Sequence, residues 1–202
     1  DTFAPFSSEV YTQDDIKNSK ATNIYDFLSQ NTSLSLAPSN GNRFSKKISA
    51  RGYGLTIGSH NLVVTLNGRR LNNIDTSGPD IAGVNINNIE RVEITKGSGS
   101  VIYGDSAMAG AIHFYTKKNI QTKISTTSGN YGVSQTSASV GINDEKIDLN
   151  ISLDNSKHDG FHKAATGGVK DKGKQTKSSI GGTYTTDGGT EISLDLYRTN
   201  SD

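Results

Sequence analysis

The chain has 202 residues, room for one domain or two small ones, and is polar for that length, with 32% hydrophobic residues, 22 glycines and a mean hydropathy of −0.53. It holds no cysteine, which excludes disulfides, zinc–thiolate centres and thiol nucleophiles, and its formal net charge of +1 gives no electrostatic case for nucleic acid. No stretch approaches the roughly 20 apolar residues of a membrane helix, but a spanning β-strand needs only about 9–11 residues with every second one facing lipid, so a membrane barrel stays open. The sequence begins at Asp1 without a secretory signal, as a mature or trimmed N-terminus would.

Residues 1 to about 118 mix helical and strand periods. Thr12-Gln13-Asp14-Asp15 has the form of a capping box ahead of Ile16. Thr22 can cap a second helix, whose Ile24, Phe27 and Leu28 fall at i, i+3, i+4 on one buried face. Leu62–Leu66 is a short apolar run ending in Asn67-Gly68, a pair that tolerates positive φ at both positions and predicts a type I′ hairpin into Arg70-Leu71. Val92–Thr95 and Ala111–Thr116 read as further strands. Strict alternation over Ile89–Ile94 places Ile89, Arg91 and Glu93 on one face and Glu90, Val92 and Ile94 on the other. A small α+β domain, a mixed sheet with short helices, accounts for this half.

From about residue 120 the helical period disappears. Ile147, Leu149, Ile151 and Leu153 alternate with Asp148, Asn150, Ser152 and Asp154; Ala138, Val140 and Ile142, and later Ile192, Leu194 and Leu196, repeat the pattern. Turn signals at 129–132, 143–146 and 186–189 divide segments of about ten residues, which predicts an antiparallel β-meander of about five strands. The turns at 143–146 and 186–189 are tight, whereas the connection at about 158–173 is long and polar. Outer-membrane barrels combine short periplasmic turns with longer outer loops. A soluble β-sandwich fits the same alternation, and the pattern alone does not choose between the two.

Residues with chemical potential are few. Gly97-Ser98-Gly99 follows a strand, but Ile102 stands where a dinucleotide fingerprint needs its third glycine. Gly99 to Gly104 has P-loop spacing, yet Asp105 puts a negative charge in the lysine position. His158 and His162, with Asp159 between them, have the spacing of a helical metal pair but flank Gly160-Phe161 in the long connection, where a solvated loop is expected. Asp159 and Asp171 are too few carboxylates for a calcium site beside Lys170, Lys172 and Lys174. His60 and His113 are isolated, and no Ser/His/Asp or paired-carboxylate arrangement stands out. The expectation is a protein without enzymatic activity, metal or cofactor.

The segment Ile89-Glu90-Arg91-Val92-Glu93-Ile94-Thr95-Lys96-Gly97-Ser98-Gly99-Ser100-Val101-Ile102-Tyr103-Gly104-Asp105-Ser106-Ala107-Met108-Ala109-Gly110-Ala111-Ile112 resembles the signature block of TonB-dependent receptor plug domains. Ala4-Pro5 through Val10-Tyr11-Thr12 and Asp15-Ile16 is similar to the plug's opening segment. Ile48-Ser49-Ala50-Arg51-Gly52 resembles its Ile-Arg-Gly motif, and Leu62–Gly68 its strand ending in Asp-Gly, with Asn67 for the aspartate.

The resemblance implies a plug domain over 1–118, then the first strands of an incomplete transmembrane β-barrel over 119–202. It implies that Arg51 and Arg91, the latter sharing a face with Glu93, dock the plug onto barrel glutamates beyond Asp202. The rival is that both arginines sit in exposed pairs within the domain, worth about 0–1 kcal/mol each. Ligand contacts would come from Arg43, Tyr53 and His60, in the outward loops Ser39–Phe44, Tyr53–His60 and Asn72–Gly83. Gly52, Gly68, Gly97, Gly104 and Gly110 would serve sharp turns or close approach to a barrel wall. Implied partners are the rest of the barrel, the outer membrane, a ferric siderophore, haem or cobalamin ligand, and the TonB complex through an N-terminal box missing from this chain. The alternatives are a secreted or surface β-rich adhesion module and a free periplasmic plug-like binding domain.

Overall fold

The computed structural model describes residues 7–39, 42–50, 61–72, 81–97, 107–118, 121–160 and 172–201. The chain forms two compact units, with the main break at Lys117–Lys118.

The first unit opens with β1 (Ser7–Tyr11), α1 (Gln13–Asn18) and α2 (Ile24–Asn31). Thr12 closes α1 with the expected capping box, its backbone N–H donating to Asp15 Oδ2 at 2.8 Å while the Asp15 N–H donates to Thr12 Oγ1 at 3.4 Å. For α2 the expectation shifts by one residue. Asn23, extended at φ −149°, is the N-cap and accepts from the Asp26 N–H at 2.9 Å. The Thr22 hydroxyl instead donates to the Asp26 carboxylate at 3.2 Å, a role that sequence spacing does not separate from capping. Ile24, Phe27 and Leu28 are fully buried, as their spacing predicts. Phe27 meets Tyr11 edge-on at 5.4 Å between ring centroids.

Then follow β2 (Ser35–Ser39) and β3 (Asn42–Ser49), which pair with each other, β4 (Leu62–Leu66), β5 (Arg69–Arg70), β6 (Ile89–Lys96) and β7 (Gly110–Thr116). The main sheet has the order β1-β6-β7-β4-β5, in which β4 and β7 run parallel and the other pairs antiparallel. The β4–β5 hairpin is the predicted one, with φ of 50° at Asn67 and 82° at Gly68. Register sets Val92 and Ile94 beside Phe114 and Ile112, and these beside Leu66 and Val64, giving one fully buried apolar face.

Strict alternation in β6 fails at its start. The β6–β7 register shifts between Ile89 and Arg91, so Glu90 is an extra residue and Ile89 turns inward, 1% exposed, away from Arg91 and Glu93. Of the expected loop Asn72–Gly83, residues 73–80 lie outside the described residues, and its ends are anchored. The Asn72 side chain is bonded to β4, and Ile81 and Ala82 are buried.

The second unit is an antiparallel meander of β8 (Lys123–Ser128), β9 (Ser134–Asn143), β10 (Ile147–His158), β11 (Gly173–Thr185) and β12 (Glu191–Ser201), each strand pairing with the next. Both tight turns lie at one end, where the Thr185 N–H donates to Lys146 O at 2.8 Å and Lys146 pairs with Asp187. The β8–β9 turn and the long connection share the other end, where the Asp159 N–H donates to Tyr131 O at 2.9 Å.

Rows across this sheet read Ile147–Tyr184–Ile192, then Ile142–Leu149–Gly182–Leu194, then Val140–Ile151–Ile180–Leu196. Leu149 and Gly182 are half-buried, but the other residues of these rows are exposed, from 43% at Ile151 to 65% at Leu194, whereas Ser137, Ser152, Asp154 and Gln175 on the opposite face are buried. A sandwich has the reverse arrangement, apolar side buried and polar side wet. Here the alternation is inverted.

Candidate functional site

The apolar face of the first sheet leaves its other face to polar residues, and register assembles them from three strands. Arg91 lies opposite Tyr115, Glu93 opposite His113, and His113 in turn opposite Thr65 of β4. Arg91 Nε donates to Glu93 Oε1 at 2.9 Å, and its guanidinium carbon sits 4.2 Å from the Tyr115 ring centroid. The Tyr115 hydroxyl donates to Glu93 Oε2 at 3.2 Å, so one carboxylate holds both the arginine and the phenol. Burial pushes the Tyr115 phenol up, the Glu93 charge adds to this, and Arg91 opposes it.

The row ends in a buried pair, with Thr65 Oγ1 and His113 Nδ1 2.7 Å apart. Burial holds His113 below the usual histidine range and the Glu93 charge only partly offsets it, so the imidazole is neutral at pH 7. The Arg91 and Glu93 side chains remain 46% and 31% exposed. An ion pair this wet contributes about 0–1 kcal/mol to stability. Its effect is orientation: Glu93 and the Tyr115 ring fix a guanidinium that has five N–H donors in a planar fork, of which Glu93 takes the one on Nε.

A second polar cluster holds the edge strand β1. Lys96 of β6 pairs with Glu9, and the Tyr11 hydroxyl reaches Glu9 Oε2 at 3.1 Å and Asn31 O at 2.6 Å. Burial would raise Glu9, but hydrogen bonds from Lys96, Ser33 and Tyr11 and the Lys96 charge outweigh it, and its carboxyl ends below the usual range. Burial, together with Glu9, pushes Tyr11 up to about 12.

Side-chain amides hold β4. Asn72 Oδ1 accepts from the Val64 N–H and its Nδ2 donates to Leu62 O, both at 2.8 Å, so it stands in for a strand residue at that edge. Asn67 does the same towards β7, accepting from the Thr116 N–H at 2.9 Å and donating to Thr116 Oγ1 at 2.8 Å. The Asn-Gly reading accounts for the turn conformation but not for this bridge.

Among the residues singled out in the sequence, Arg91 and Glu93 come together and Tyr115, His113 and Thr65 join them, a grouping that only strand register reveals. Arg51, Gly52, Tyr53, His60 and Gly104 lie outside the described residues, as does His162, and Arg43 lies in β3 with its side chain outside them. Gly68, Gly97 and Gly110 all have positive φ. The close approach at Gly110 is not to a barrel wall: a Cβ there would lie 2.1 Å from Thr95 O, because β6 and β7 pass with no room between them. His158 is no solvated loop residue either. It ends β10 and is 4% exposed, on the polar face shared with Ser152 and Asp154. Among the described residues no group of three or more His, Cys, Asp and Glu could hold a metal ion.

Comparison with known proteins places this geometry. The chain is 28% identical over 110 residues to the vitamin B12 transporter BtuB of Vibrio vulnificus, covering 54% of this chain and 17% of that protein. It is 23% identical over 167 residues to BtuB of Vibrio cholerae, covering 81% of this chain and 27% of that protein. The chain thus matches about a quarter or less of these relatives' lengths. Among solved structures, the ferric yersiniabactin uptake receptor FyuA of Yersinia pestis superposes with a TM-score of 0.75 at 16% identity, over 98% of this chain and 32% of that one. The fold is therefore that of a TonB-dependent receptor's plug followed by barrel strands. The TonB-dependent receptor plug domain family matches residues 2–111, more than half of the sequence, and the chain belongs to that family.

Proposed function

We propose that this chain is the plug, about 1–118, and the first barrel strands, about 119–202, of an outer-membrane receptor that takes up a scarce nutrient such as a ferric siderophore, haem or cobalamin. The observation that carries the reading is the inverted second sheet, whose exposed face bears Val140, Ile142, Ile147, Ile151, Ile180, Ile192, Leu194 and Leu196. Monomeric soluble proteins rarely expose a contiguous apolar area of this kind. A barrel wall requires one, with lipid outside and a polar lumen inside. The plug gates that lumen.

In this reading Arg51 and Arg91 seat the plug through carboxylates of the barrel wall. Support comes from the fixed guanidinium of Arg91, oriented by Glu93 and Tyr115 and still partly exposed. Arg43, which lies in β3 rather than in the expected loop, and Tyr53 and His60 are proposed as ligand contacts, and the TonB complex as the partner that rearranges the plug. The reading has no catalytic step.

The test is an immunoblot of fractionated source cells with an antibody to residues 1–118. The expected band is several times heavier than 21.5 kDa, sediments with the outer membrane, and changes mobility on boiling. A soluble band near 21.5 kDa would overturn the reading.

A further inference from the structure

The outward face of the second sheet changes character past Leu153. The row Ile124–Ala138–Leu153–Ser178–Arg198 is the last to carry large aliphatic side chains. The next, Thr126–Thr136–Asn155–Thr176–Asn200, is entirely hydroxyl and amide. The row after it sets Lys157 directly against Lys174, beside Ser134 and Ser128. Lys157, Lys174 and Arg198 are all exposed. Like charges directly opposite on an antiparallel pair are destabilising, and among the described residues neither lysine has an acidic partner. The other end of the same sheet has the opposite sign, with Asp144, Glu145, Asp187 and Glu191 against Lys146 and Lys118.

Depth points the same way. Leu153 to Lys157 is about 13 Å along the strand, or about 10 Å along the membrane normal at a barrel strand's usual tilt of about 40°. That step carries the lysines out of the hydrocarbon to headgroup level, on the lipid-facing side and at the long-loop end.

We propose that this strip binds the anionic, phosphate-bearing headgroups of lipids in the leaflet at the loop end. Lys157 and Lys174 hold the phosphate, and Thr136, Asn155 and Thr176 hydrogen-bond the rest of the headgroup. The inference rests on the barrel reading above and adds to it a lipid partner. Cationic side chains at a membrane surface gain from anionic lipid, and a facing pair with no acidic partner among the described residues has its charge available for that use.

The test uses the full-length receptor carrying this chain, purified in micelles doped with phosphatidylglycerol or with a neutral glycolipid of the same acyl chains. Lipid retained per protein is measured by native mass spectrometry. The expected result is preferential retention of phosphatidylglycerol, weakened about five-fold for each lysine removed in K157Q and K174Q, and kept in the K157R/K174R double variant. Equal retention by the wild type and the K157Q/K174Q double variant would overturn the proposal. Full competition by inorganic phosphate at matched ionic strength would overturn the lipid as occupant. Loss of heat-modifiable mobility in the wild type would instead overturn the barrel reading, and this proposal with it.

Discussion

Asn67 combines three functions. It adopts φ of 50°, donates its N–H to Phe114 O, and bridges Thr116 with both atoms of its amide. Asn67→Asp keeps the turn and the acceptor, and the Thr116 hydroxyl can reverse from acceptor to donor. The expected stability change is within about 0.5 kcal/mol. Asn67→Ala loses the bridge and strains the turn, at a cost of about 1–3 kcal/mol in denaturant unfolding. His113 gives a pH dependence with a definite sign. Its folded value lies below the ordinary 6.5, so below that pH the unfolded chain binds the proton more readily and stability falls as the solution is acidified. His113→Gln keeps a partner for Thr65 and is expected to remove that component below about pH 6.5, read from thermal unfolding. The turn at Asn67 was legible in two adjacent residues. The Glu93–His113–Thr65 row was not, because its members are separated by up to 48 positions and meet only through pairing.

At the scale of elements, local signals worked where the chemistry is local. The capping box of α1 needs only Thr12 and Asp15, and the buried stripe of α2 only its own spacing. Signals failed where a neighbour intervenes: the bulge at Ile89/Arg91 is fixed by how β6 meets β7, and β2 and β3 show no period-two alternation by which to be found. The β4 edge is where Asn72 belongs. Asn72→Ala leaves the Val64 N–H and Leu62 O without that partner and is expected to cost about 1–3 kcal/mol, with faster amide exchange at Val64. The β1 edge has a pH limit on the alkaline side. Tyr11 titrates near 12 when folded and near 10 when unfolded, so stability is expected to fall as pH rises from 10 to 12, and Tyr11→Phe is expected to flatten that decline.

For the whole molecule, the deciding feature is which face of the second sheet is covered. Ile151→Arg places a charge on the exposed apolar face, and at mid-bilayer this is expected to cost about 2–4 kcal/mol in assembly of the full barrel, seen as less heat-modifiable protein. The same exchange on a solvated sheet would have little effect, so the measurement separates lipid from water as the environment of that face. The sequence by itself determined the two-part organisation, the capping box of α1, the buried stripe of α2, the Asn-Gly hairpin and the meander, because each rests on residues a few positions apart and on fixed periods of 3.6 and 2. Only the tertiary structure decided the rest. Strand order gathered Arg91, Glu93, Tyr115, His113 and Thr65 into one network, and register lined up Lys157 with Lys174. Burial showed the aliphatic side of the meander exposed and its polar side covered. Alternation fixes which residues share a face, but which of the two faces is buried is not encoded in any local period.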